Sequence, residues 1–137
     1  ASAQEASLPA QMPAVTAHAK ALAGELVLID IRTPEEWRET GVPASGHAIA
    51  MNQRRATFLS AIDGVTGGDK RRPIALICAT GGRSAALKTE LTRAGYMSVI
   101  DVSEGMLGSR GQPGWIKAGL PVRRWTPGAT APTATGR

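Results

Sequence analysis

At 137 residues the chain has room for one domain with a real core, and too little length for two ordinary ones. Its 42% hydrophobic and 20% charged residues describe a globular chain, and no apolar run approaches the ~20 residues needed to cross a bilayer, so a membrane-spanning helix is excluded. The net charge of +5 suggests anionic partners, but the basic residues fall into small separate groups and aromatics are few, so no nucleic-acid surface is expected; the positive field suits a small anionic substrate.

Ala1-Ser2-Ala3-Gln4 has the small-x-small form left around a signal-peptidase cut, and fits a cloning boundary equally well. Residues 1–13 mix Ala, Ser, Gln and Pro without periodicity and are expected to form a mobile lead-in. A short helix is predicted from Thr16 to about Ala23, with Thr16 as N-cap, Gly24 as stop and His18 exposed on it. Leu26-Val27-Leu28-Ile29-Asp30-Ile31 is a continuous apolar run, the pattern of a strand covered on both faces. Asp30 and Arg32 interrupt it near the strand's carboxyl end, where ligands gather in open α/β sheets, so Asp30 is a site residue or the buried partner of a cation. Thr33-Pro34-Glu35-Glu36 then starts a helix: Thr caps, Pro fits the first turn and the acids complement the dipole, with Trp37 turned inward.

A short strand is predicted within Gly46–Asn52, with His47 ordering its loop, and a helix over Ala56–Ile62. Ile74-Ala75-Leu76-Ile77 is a second apolar run, and it delivers the chain's one cysteine, Cys78, into the turn Ala79-Thr80-Gly81-Gly82-Arg83-Ser84. Ala85, Leu87, Leu91 and Ala94 continue at helical spacing to Gly95. A strand, a glycine-bearing turn and a helix N-terminus form a cradle in which converging N–H groups and the helix dipole stabilise an anion or thiolate. Cys78 cannot form an internal disulfide, and by composition alone it is either a small buried hydrophobe or a reactive thiol; this setting makes it the candidate nucleophile. Met97–Val102 is the next strand, Pro113–Ala118 a short helix and Gly119–Val122 the closing stretch, and the tail from 126 to 137 is expected to be disordered. Alternating strands and helices with short connections indicate an α/β domain over 14–125, with a mainly parallel sheet of about five strands flanked by helices on both faces.

The ordered set of motifs resembles the single-domain rhodanese (sulfurtransferase) family. Leu28-Ile29-Asp30-Ile31-Arg32 with Thr33-Pro34-Glu35-Glu36-Trp37, then Gly46-His47, then Cys78-x-x-Gly81-x-Arg83-Ser84, Gly95-Tyr96, Gly105-Met106, Trp115 and Gly119-Leu120-Pro121-Val122 follow the family's order. One departure is Gly46-His47-Ala48-Ile49-Ala50-Met51, which lacks the second Gly that the family carries there and is shortened.

The resemblance implies a thiosulfate sulfurtransferase-like enzyme. Cys78 would take sulfane sulfur from thiosulfate or a similar anionic donor as a persulfide and pass it to cyanide or a thiol, with no metal or organic cofactor. The N–H groups of Ala79, Thr80, Gly81, Gly82, Arg83 and Ser84 would hold the charged sulfur, and Asp30, Arg32 and Glu35 would support the loop. Arg83 either clamps substrate or pairs with Asp30 or Glu35 to brace the loop, with bracing and some substrate contact favoured. Ser84 either donates to the sulfur or caps the helix. Arg83 stands five positions after Cys78, one fewer than in the related phosphatases, so phosphatase or arsenate reductase activity is disfavoured. A non-enzymatic persulfide carrier, or a sensor or binding module, is the rival from another class.

Overall fold

The structure, a computed structural model, describes residues 8–128 and 130–132. The Ala1-Ser2-Ala3 start lies outside the described residues, as do residues 133–137 of the tail. In chain order the elements are α1 (Ala14–Leu22), β1 (Val27–Asp30), α2 (Pro34–Thr40), β2 (Val42–Pro43), β3 (Gly46–Ala48), α3 (Arg55–Thr66), β4 (Ile74–Ile77), α4 (Gly82–Arg93), β5 (Val99–Asp101), α5 (Gly114–Lys117) and β6 (Val122–Arg123). Among the described residues no helix is long and apolar enough to cross a membrane.

The apolar runs become the inner strands because every residue of β1 and β4 is buried. Side chains alternate across a strand, so each run supplies two cores at once. Ile29, Ile74 and Leu76 meet Phe58 and Ile62 of α3 and Leu87 and Leu91 of α4 on one face. Leu28, Ala75, Ile77 and Ile100 meet Ala14 and Ala17 of α1 and Trp115 of α5 on the other. The strands run parallel in the order β3-β1-β4-β5, giving four strands where about five were expected. β2 and β6 pair separately as a small antiparallel sheet.

Part of the expected lead-in runs along the edge of β5. Asp101 N–H donates to the Ala10 carbonyl at 2.9 Å and Met12 N–H to the Asp101 carbonyl at 3.2 Å, with Gln11 bridging Asp101 in parallel. In the tail, the Thr130 carbonyl accepts from Ala48 N–H at 2.8 Å. The missing glycine after Gly46-His47 leaves the ladder intact, since Ile49 N–H and Met51 N–H continue to the carbonyls of Asp30 and Ile31.

Helix α1 begins at Ala14 rather than Thr16, for a reason remote in sequence. Its N-cap is Pro13, without a capping side chain, and the first N–H instead donates to Glu104 Oε1 at 2.9 Å. The other oxygen of Glu104 accepts from Gly114 N–H at 2.9 Å, so one buried carboxylate closes the starts of α1 and α5 together. His18 is not simply exposed: its Nδ1 lies 2.8 Å from Ser45 Oγ and its ring meets Trp115 edge-on at 5.3 Å. Helix α2 starts as expected, with Thr33 and Glu36 forming a capping box.

Candidate active site

β4 carries its alternation one residue beyond Ile77, so Cys78 follows Ile74 and Leu76 onto the face packed by α3 and α4 and is 1% exposed. The chain turns back through Ala79 and Thr80, and Gly81 closes the turn at φ +97° as the N-cap of α4. A Cβ at Gly81 would stand 2.3 Å from the Ser103 carbonyl oxygen, so that close approach requires glycine as well as the left-handed backbone. The other side of the loop is pinned by the turn after β5: Met106 N–H donates to the Cys78 carbonyl at 2.8 Å and Leu107 N–H to the Ala79 carbonyl at 3.0 Å. With the Cys78 and Ala79 carbonyls held by that turn, the loop brings two of its N–H groups, those of Gly81 and Ser84, onto the sulfur. Cys78 Sγ accepts from Gly81 N–H at 3.2 Å and from Ser84 N–H at 3.4 Å, and Ser84 Oγ lies 3.4 Å away. These donors and the start of a twelve-residue helix favour negative charge on that sulfur.

Of the residues of the loop, Thr80 and Gly82 are exposed at its rim. Ser84 is buried and leaves the N-cap to Gly81, so its hydroxyl is used inside the site; besides the sulfur it reaches Asp101 Oδ1 at 2.5 Å and the Gly81 carbonyl at 3.2 Å. Arg83 is engaged by Glu36 rather than by a hydrogen bond to the sulfur, and acts on Cys78 through its charge. Its two terminal nitrogens grip Glu36 at 2.8 Å each, a bidentate pair, and not Asp30 or Glu35 as the sequence suggested. Glu35 is exposed in the first turn of α2. Asp30 lies next to β4 as expected, in register with Ile77, but its carboxylate is taken up by Arg32 Nε and Nη2 at 2.9–3.3 Å and by Arg32 N–H at 3.1 Å. Asp30 is thus the buried partner of a cation. His47, on the edge strand, borders a cavity of about 430 Å³ with Trp37, Ile49, Ala61 and Val65, and among the described residues none of the cysteine loop 78–84 lines it.

The Arg83 guanidinium, chiefly through its hydrogen bonds, holds the Glu36 carboxyl at about 2, well below its ordinary value of 4.5. A carboxyl depressed on folding stabilises the fold fully above its unfolded value, and that contribution fades as pH falls from 4.5 through about 2. Arg83 is 38% exposed, so solvent screening limits the pair to roughly 1 kcal/mol. Urea titrations should therefore find Glu36→Gln less stable than the parent by about that amount at pH 7, with the two curves converging below pH 3 as Glu36 protonates in the parent too. A gap that persists undiminished at pH 2 would assign the loss to the capping box instead.

Two contributors were missed by sequence reasoning. Glu36 was legible as the fourth residue of the Thr33-x-x-Glu36 capping box, whose geometry turns it toward Thr33 and hence toward Arg83. Asp101 carried a weaker signal, a carboxylate inside the apolar run Val99-Ile100-Asp101-Val102.

Residues 14–110 match the family model for the rhodanese-like domain. The chain belongs to the rhodanese-like family. It is 30% identical over 127 residues to thiosulfate sulfurtransferase 16, chloroplastic, of Arabidopsis thaliana, covering 88% of this chain and 98% of that one. An uncharacterised Rickettsia rickettsii protein is 30% identical over 103 residues, covering 69% and 80%. Among solved structures, the polysulfide-sulfur transferase homodimer of Wolinella succinogenes superposes with a TM-score of 0.62 at 22% identity, covering 82% of this chain and 77% of that one. A protein of M. tuberculosis superposes with a TM-score of 0.63 at 24% identity, covering 87% and 100%. These two likenesses establish a shared rhodanese-like fold. Family membership suggests sulfurtransferase activity, with sulfur donors and acceptors as the chemical class handled.

Proposed function

We propose that the chain transfers sulfane sulfur from thiosulfate or a similar anionic donor to cyanide or a thiol, through a persulfide on Cys78. The convergence of Gly81 N–H, Ser84 N–H and Ser84 Oγ on one cysteine sulfur carries this reading. Thiolate is the nucleophilic form of cysteine, and fixed donors favour its charge without reorganising during reaction. Cys78 Sγ attacks the outer sulfur of the donor and forms an S–S bond. The donor's own S–S bond breaks, and sulfite leaves with the bonding pair. The acceptor's thiolate, or cyanide, then takes the outer sulfur, and Cys78 is released as thiolate, so ping-pong kinetics follow. Arg83, tied to Glu36 across the mouth of the loop, braces it and lends positive charge to the approach of an anionic donor.

Incubation with thiosulfate followed by intact mass analysis should find one added sulfur, absent from Cys78→Ala, and cyanide should discharge it catalytically. Cys78→Ala should lose turnover by roughly 10³-fold or more. No adduct, or an adduct retained in Cys78→Ala, would overturn the reading; an adduct that cyanide cannot discharge would make the protein a carrier.

A further inference from the structure

The chemistry above needs a thiolate, yet neither histidine serves the loop. His18 is engaged by Ser45 and Trp115, and His47 stands on the far edge strand. Arg83 acts on the sulfur by charge alone; among the described residues, the ionisable side chain linked to the sulfur through hydrogen-bonding groups, by way of Ser84, is Asp101. Strand alternation places it with Val99 on the α4 face of the sheet, where Ser84 of α4 sits directly over it. Cys78, Ser84 and Asp101 are each at most 1% exposed, so their contacts exclude bulk water. Ser84 Oγ stands between the other two, 3.4 Å from Cys78 Sγ and 2.5 Å from Asp101 Oδ1.

The hydroxyl has one hydrogen, and the Asp101 oxygen at 2.5 Å claims it over the Gly81 carbonyl at 3.2 Å. A lone pair of Oγ is thereby left facing the thiol. The second Asp101 oxygen, Oδ2, is buried and has no hydrogen-bond partner among the described residues. A carboxylate with one bare oxygen in a dry site is the group that gains most from taking a proton.

Resting on the reading of Cys78 as the nucleophile, we propose that Asp101 is a positioning residue that sets the protonation of Cys78 through Ser84. The Cys78 S–H bond breaks as its proton passes to Ser84 Oγ, the Ser84 hydroxyl proton passes to Asp101 Oδ1, and the S–H electron pair stays on sulfur. Nothing is oxidised or reduced. The bonds then run in reverse: protonated Asp101 donates to Ser84, and Ser84 donates to the thiolate alongside the two backbone N–H groups. When an acceptor removes the outer sulfur and frees the thiolate, the proton returns by the same route. Burial holds the Asp101 carboxyl above its ordinary range, against the opposing pull of its Ser84 hydrogen bond and of the cations Arg110 and Lys88, which makes it a stronger base than an exposed carboxylate.

Because Cys78 is the chain's one cysteine, alkylation by neutral iodoacetamide reports on it alone, and it requires no sulfur donor. A thiol acting alone loses reactivity tenfold per pH unit below its own titration. With the relay, the protein that holds one proton between Cys78 and Asp101 stays reactive, so the wild-type profile should show a level shoulder between the two titrations. Asp101→Asn and Ser84→Ala should each abolish the shoulder, react roughly tenfold or more slowly at its acid end, and fall no further when combined. Circular dichroism establishes that each variant is folded; should Asp101→Asn fail, Ser84→Ala, which removes a single oxygen, decides. A wild-type profile without a shoulder overturns the relay, and so does a shoulder that survives either substitution. A shoulder with no sulfur adduct from thiosulfate would instead remove the sulfurtransferase reading and leave the relay standing.

Discussion

Gly105→Ala should disable the site without touching any residue that faces the sulfur. At φ +70° the backbone of Gly105 already disfavours an L side chain, and an added Cβ would stand 2.2 Å from the Ala79 carbonyl oxygen and 2.9 Å from that of Cys78. Both obstacles are backbone atoms and cannot swing aside. The methyl must push the loop away from the turn, breaking the bonds from Met106 and Leu107 that hold the Cys78 and Ala79 carbonyls outward. The inward set of Gly81 N–H toward the sulfur depends on that hold. The combined backbone strain and overpacking should cost about 3 kcal/mol of stability, and displacing the donors should cut sulfur transfer by roughly a hundredfold. Gly24→Ala is the matching control, since Gly24 has φ +75° and open space around it. It should lose only about 1 kcal/mol and keep full turnover. Thermal melts and cyanide turnover on the two variants check this; equal losses in both would mean that backbone conformation, and not the contact with Ala79, is what Gly105 supplies.

The parts of the fold that were readable in advance are those fixed by neighbours in sequence. The runs around Ile29 and Leu76 announced two-sided strands because every residue in them is apolar, and Thr33-Pro34 announced a helix because a cap and its N–H lie within one turn. The cysteine loop was readable for the same reason, being a strand end, a glycine turn and a helix start in immediate succession. What failed depends on distance. The start of α1 is set by Glu104, 90 residues away, and no local pattern at Thr16 could announce it. Arg83 reaches across 47 residues to α2, where one step along the helix, ~100° of rotation, separates exposed Glu35 from Glu36. Asp101 joins the site only because parallel pairing sets β5 beside β4, a register that the strand's own residues do not encode.

The pair Asp30–Arg32 shows the same limit from the energetic side, and it predicts the second large effect. Both side chains are buried, at 0% and 1% exposure, and the guanidinium also donates to Thr40 Oγ1 and to the Gly41 carbonyl at 3.0 Å each. Arg32 therefore ties the end of β1 to the end of α2, the helix that presents Glu36 to Arg83. Arg32→Met would fill much of the same space but leave the Asp30 carboxylate buried without its hydrogen-bonded cation, facing only the charges of Arg123 and Arg83, with about 3–5 kcal/mol of stability lost as a result. Asp30→Leu combined with Arg32→Met removes both charges and should recover much of that loss, because a buried pair replaced by apolar groups is often close to neutral. Urea unfolding of the two single variants and the double variant closes the cycle. A double variant far more stable than Arg32→Met alone identifies desolvated charge as the cost. If the double variant is as unstable as Arg32→Met, the loss resides in the bonds to Thr40 and Gly41, and Arg32 acts mainly as the tie that holds α2, and with it Glu36, against the loop.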